Sequence, residues 1–385
     1  MRRKWIYIAL GCAAVLVAGV SIALAPGATP QSWPAATAAT VPPAEQAAAI
    51  QALAPTRASA SRPVIALVAL NDGTEVADLL VAYGILQRAD VADVTLVAPQ
   101  MEKIRLYPPE LHLLPQASMA SFDSQHPAGA DYVVVPAMEP HDDADVTEWI
   151  VRQYGQGARI ISICNGSKTI AAAGLLDGRR GTAHWYSLEW LQDNHPTMQW
   201  VPDRRYVSDG RITTSTGVSA NIPVMMALVE AIGGEAAAAR VAAEIGVDHW
   251  DARHRSSAFT LTAEHKKTFI RNTLAIWRHE TVGIPLAAGV DEVALGLAVD
   301  AWSRTELSKV AVAGAAEGVT SRHGLTIFAA ETGNREPDLL FDPMAGSAPG
   351  DMMESVLAQI AGRYDKPTAA IVALTMEYPW QPAAN

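Results

Sequence analysis

The sequence predicts an α/β protein, a doubly wound parallel sheet covered by helices and followed by a truncated second copy of the same unit. Three observations carry that prediction. From residue 62 onward, short apolar runs alternate with helical stretches, the pattern of parallel strands buried between helices. One run, Arg159-Ile160-Ile161-Ser162-Ile163, breaks at Cys164-Asn165-Gly166 into an Ala-rich helical stretch, a strand, tight turn and helix in succession. The last hundred residues repeat fragments of the first unit but lack its middle.

The N-terminus reads as a targeting segment. Arg2-Arg3-Lys4 precedes residues 5–25, which carry no charge and are about long enough to span a bilayer. The basic flank orients the remainder of the chain outside the cytoplasm, as an uncleaved anchor or behind a cleaved signal. Residues 1–26 are assigned to this segment. Residues 27–61, rich in Ala and Pro, are assigned to an extended linker with a weak helix over 44–53.

The first unit, 62–255, contains strands over 64–69, 94–97, 131–136, 159–163 and 211–215. Helices over 76–88, 144–154, 222–232 and 236–245 lie between or after them. A connecting segment, 256–280, holds a helix over 263–277 with Thr262 as N-cap and Phe269, Ile270, Leu274 and Trp277 near one face. In the final segment, 281–385, Val282–Leu286 and Asp291-Glu292-Val293 parallel Ile65–Ala69 and Thr74-Glu75-Val76. Residues 353–362 parallel 225–234, and 368–373 parallel 238–243. The counterpart of roughly 140–218 is missing, so the second copy has no cysteine turn. Packed on the first copy, it would make an intramolecular pseudo-dimer; a homodimer is the other expectation.

Composition narrows the function. Half of the 385 residues are hydrophobic and 18% are charged, as in a globular chain. The formal net charge of −11 becomes near −14 without the basic N-terminus, which disfavours nucleic acid as a partner. The expected partners are a small-molecule substrate and, through the N-terminal segment, a membrane. Of two cysteines, Cys12 falls in the apolar N-terminal segment, so an exported body would have no disulfide framework. Cys164 stands alone at the carboxyl end of a strand, where open α/β sheets bind ligands. At a helix N-terminus, a thiol is expected to favour its thiolate. His141-Asp142-Asp143 are adjacent on a loop, and His249 and His254 lack ligand spacing, so neither a metal nor a cofactor is expected.

The stretch Ile163-Cys164-Asn165-Gly166 through Ala173-Gly174-Leu175-Leu176-Asp177-Gly178-Arg179-Arg180-Gly181-Thr182-Ala183-His184-Trp185, with Thr214-Ser215-Thr216-Gly217, resembles the DJ-1/PfpI superfamily. That superfamily has a flavodoxin-like fold related to class I glutamine amidotransferases. Within it, the chain looks like the amidotransferase-like domain at the N-terminus of some AraC-type regulators, without their DNA-binding helices. The resemblance implies Cys164 as nucleophile, Glu75 as the acid that hydrogen-bonds it, and His184 as the nearby histidine. Asn165 and Gly166 would form the turn that holds an oxyanion. Asp78 reads as a helix-face acid. The position after the cysteine holds Asn165 where the protease members have histidine, which argues against peptidase activity. The resemblance implies a cysteine-dependent hydrolase or lyase acting on a small electrophile; the alternative is an envelope sensor with a redox-active cysteine.

Overall fold

The computed structural model describes residues 40–56, 62–108, 111–314, 317–330, 336–346 and 348–381. The expected N-terminal targeting segment lies outside the described residues. The apolar runs of the first unit form a seven-stranded sheet. Its order is Tyr206–Asp209, Ile212–Ser215, Arg159–Ser162, Tyr132–Val135, Val64–Val68, Asp93–Ala98, Ala117–Ser118. Every pairing is parallel except the edge pair Tyr206–Asp209 with Ile212–Ser215. The central strands have no polar face because both sides are covered, which explains their unbroken apolar runs.

Two cores result. One face packs on helices that include Ala144–Gly155, around Trp149, Val133 and Ile160. The other packs on Val76–Ala89 and Asn221–Ile245, and this second core continues into the C-terminal segment. There, a three-stranded parallel sheet runs in the order Ser308–Ala313, Glu280–Pro285, Leu339–Leu340. Helix Glu292–Ser303 follows its central strand, and helices Met352–Arg363 and Lys366–Thr375 close the chain. A further five-stranded sheet is shared between the two segments, with Ile327 paired antiparallel to Leu113.

The closest helix contact joins the segments. Helices Val76–Ala89 and Glu292–Ser303 meet where each carries a glycine. A Cβ on Gly84 would lie 2.9 Å from Val293 Cγ2, and one on Gly296 would lie 3.0 Å from Leu80 Cβ. Both helices are buried along nearly their whole length.

Two expectations change. The weak helix expected over 44–53 forms as Pro43–Leu53, but in place of an extended linker it docks on the first unit through buried Leu53 and a Gln46 to Tyr206 hydrogen bond. The helices expected over 222–232 and 236–245 are both present within Asn221–Ile245, separated at Gly234, whose φ of +79° only glycine adopts readily. The helix expected to reach Trp277 ends at Leu274, with Thr262 and His265 forming its capping box. Its apolar residues Ile270, Leu274 and Trp277 face solvent and cover no core.

Candidate functional site

Strand Arg159–Ser162 delivers the chain to Cys164, whose φ of +52° places it in the left-handed region. A non-glycine residue there costs on the order of 1–3 kcal/mol, and the surrounding bonds hold it. The Cys164 amide donates to the Thr216 carbonyl at 3.0 Å, and its own carbonyl accepts from Ser167 Oγ at 3.0 Å. Gly166 packs so tightly under the neighbouring strand that a Cβ would sit 2.2 Å from the Val135 carbonyl oxygen. Its amide is spent on Ile163, so Gly166 contributes close packing rather than an oxyanion donor. The Asn165 amide hydrogen-bonds the thiol, and its side chain accepts from Ser187 Oγ at 2.5 Å.

Glu75 caps helix Val76–Ala89, accepting the Asp78 amide at 2.6 Å through Oε2. That cap buries the carboxyl beside the thiol turn, together with Asp78, whose Oδ2 accepts from Ala137 N at 3.0 Å. From the far segment, at the C-terminal end of helix Glu292–Ser303, Arg304 reaches in. Its Nη2 donates to Glu75 Oε1 at 3.3 Å, and Nε donates to Asp300 Oδ1 at 2.6 Å. One guanidinium thus serves three carboxyl groups and a thiol.

The shortage of positive charge sets the protonation. Burial raises Glu75 well above the usual carboxylate range, and the charges of Asp300 and Asp78 add to it against the opposing pull of Arg304. Burial likewise raises Asp78 to about 7. Burial also raises the Cys164 thiol, reinforced by Asp78 and Glu75. The thiolate expected from the helix N-terminus is therefore disfavoured at rest, because burial and two carboxyls outweigh one short helix. Tyr107 is raised by burial and then by Glu75, Asp78 and Cys164, which keeps its phenol protonated near the cluster.

The structure brings Glu75 to Cys164 but turns His184 elsewhere. His184 Nε2 donates to the Thr375 carbonyl at 3.0 Å, and Nδ1 is buried without a partner. Burial lowers its pKa, so the ring is neutral near pH 7. The charges that act on it, Glu377, Arg304 and Asp300, all come from the C-terminal segment. Asp78 is not a helix-face acid but a buried member of the cluster. Arg304, Asp300 and Tyr107 had no sequence signal tying them to the thiol; the chain parallel pointed only to Asp291 and Glu292. Among the described residues no group of three or more His, Cys, Asp or Glu side chains is arranged to hold a metal ion.

A doubly wound sheet with a cysteine at a left-handed strand-to-helix turn defines a class of α/β proteins. Residues 64–231 match the model of the DJ-1/PfpI family. Similar curated proteins include an isonitrile hydratase of Pseudomonas putida, 36% identical over 109 residues, 28% of this chain and 44% of that one. The HTH-type transcriptional regulator CdhR of Pseudomonas aeruginosa is 33% identical over 96 residues, 25% of this chain and 28% of its own. The chain thus spans less than half the length of these relatives. Among solved structures, DJ-1beta of Drosophila melanogaster is 21% identical with a TM-score of 0.44, covering 49% of this chain and 100% of that one.

Proposed function

We propose that this protein is a cysteine-nucleophile hydrolase or lyase acting on a small electrophilic carbon, of carbonyl or isonitrile type. The observation that carries the reading is Cys164 in a left-handed turn beside Glu75, a carboxyl that burial biases toward its protonated form. As sulfur bonds the electrophilic carbon, the thiol proton has to reach the oxygen of a carbonyl substrate or, in an isonitrile, the same carbon. A protonated carboxyl beside the thiol suits that relay. The Asn165 amide, aimed at the thiol, and the Tyr107 phenol are donors available to the adduct. The isonitrile hydratase among the similar proteins supports the substrate class.

The test is turnover of an aliphatic isonitrile and of a 2-oxoaldehyde by the full chain, compared with Cys164→Ser and Glu75→Gln. Turnover abolished by the first and strongly slowed by the second is expected. Binding without turnover of either compound would replace this reading with a ligand or redox sensor, a role for which the regulators among the relatives give a precedent.

We also infer that 281–385 is a truncated second copy that completes the site as a pseudo-dimer partner. Apart from the strands Asp72–Glu75 and Ala117–Ser118 and the helix Met119–Gln125, which only the first segment has, both run strand, helix, strand, hairpin and strand, with parallel strands in matching order. Their N-cap acids are paired reciprocally: Glu75 with Arg304, and Asp291 with Arg88. The uncharged residues 5–25 support attachment to a membrane with the body outside the cytoplasm.

A further inference from the structure

Beyond the thiol turn, a cavity of about 380 Å³ opens between the first unit and the C-terminal segment. Neither Cys164 nor Glu75 lines it. Its volume falls within the range of small-molecule sites. Three aromatic rings, Trp185, Trp200 and Phe259, form much of the wall, and the charged lining residues are two acids, Asp203 and Glu377.

Those two acids are unusual in their backbone. Asp203 and Glu377 have φ of +58° and +54°, and are two of five non-glycine residues in the left-handed region among the described residues. Such conformations are strained and concentrate at ligand clamps. Glu377 is fixed by its neighbours: Oε2 accepts from Gly217 N at 2.7 Å, and Oε1 accepts from His254 Nε2 at 3.0 Å. Asp203 holds Ser256 N through Oδ1 alone, at 2.9 Å. Two further wall groups, the hydroxyls of Thr182 and Thr216, are buried and have no hydrogen-bond partner. A buried polar group in a cavity wall is satisfied when a polar occupant reaches it.

We propose that this cavity is a binding site, separate from the thiol, for a small organic ammonium ion with an apolar ring or chain. The two carboxylates and the ring faces attract a cation and repel carboxylates and phosphates. Leu188 and Pro202 meet its apolar body. The site exists only where the C-terminal segment supplies Glu377.

The experiment is saturation-transfer NMR on the full-length chain with benzylamine, phenethylamine and cyclohexylamine, each against its alcohol and its carboxylate. Saturable binding of at least one amine is expected, with its alcohol about tenfold weaker and its carboxylate not bound. Asp203→Asn, which keeps the shape and tolerates a left-handed backbone, is expected to bring the amine down to the alcohol's affinity. Trp200→Ala is expected to weaken both. Cys164→Ser is expected to leave the amine affinity unchanged. The proposal is overturned if no amine saturates below about 10 mM, if Asp203→Asn has no effect, or if carboxylates bind better. Loss of amine binding in Cys164→Ser would overturn its separation from the thiol.

Discussion

At Cys164 the chain combines a strained backbone with a thiol that burial holds protonated, and the charges around it decide when it reacts. Asp78 and Glu75 raise the thiol and Arg304 lowers it, so the signs of two substitutions follow. Asp78→Asn removes a negative charge and should move the pH midpoint of iodoacetamide alkylation of Cys164 downward. Arg304→Met, combined with Asp300→Asn to avoid a buried unpaired carboxylate, should move it upward; equal midpoints in both variants and the parent would contradict the cluster. Stability carries the same signature. Unfolded Asp78 ionises near its ordinary value of 3.8, whereas the folded chain keeps the proton to about 7. Between those values the native state binds more protons, so stability is lost as pH rises. The slope from this one group is at most about 1.4 kcal/mol per pH unit. Thermal midpoints of Asp78→Asn at pH 5 and pH 8 should therefore differ less than those of the parent.

The helix pair Val76–Ala89 and Glu292–Ser303 is the element on which the two segments meet. Its close approach rests on Gly84 and Gly296, and no flexible side-chain end lies at the nearest contacts to give way. Gly84→Val should destabilise by roughly 1–3 kcal/mol, read as a lower urea midpoint with the slope preserved. Gly155→Ala, with open space around its Cβ position, should be neutral or slightly stabilising in the same measurement. Helix Val76–Ala89 was legible in the sequence as a helical stretch over 76–88, and Glu292–Ser303 only through the parallel of Asp291-Glu292-Val293 with Thr74-Glu75-Val76. Their pairing was not. A helix apolar on all sides gives no direction to its partner, and a glycine within it reads as a weak point until the opposing backbone is seen.

For the molecule as a whole, the C-terminal segment supplies Arg304 to the thiol cluster and Thr375 and Glu377 to His184 and its surroundings. Deleting 281–385 would also bare the buried face of Val76–Ala89. The shortened chain should aggregate, self-associate or lose a cooperative melt, measured by light scattering and calorimetry. A monomeric fragment as stable as the parent would remove the case for a built-in partner.

Legible in the sequence were the alternating α/β fold, the strand-to-turn-to-helix at Cys164 and the absence of a cysteine turn in the last hundred residues. These are local matters: periodicity, turn chemistry and capping are written within a few residues of where they act. Only the tertiary structure decided the protonation of the thiol, the burial of Asp78, the turning of His184 toward Thr375, and the cavity walled by Asp203 and Glu377. Arg304 meets Glu75 across 229 positions of chain, and His184 meets Thr375 across 191. Contacts of that span leave no periodic trace, and a charge's effect depends on what burial and packing bring beside it.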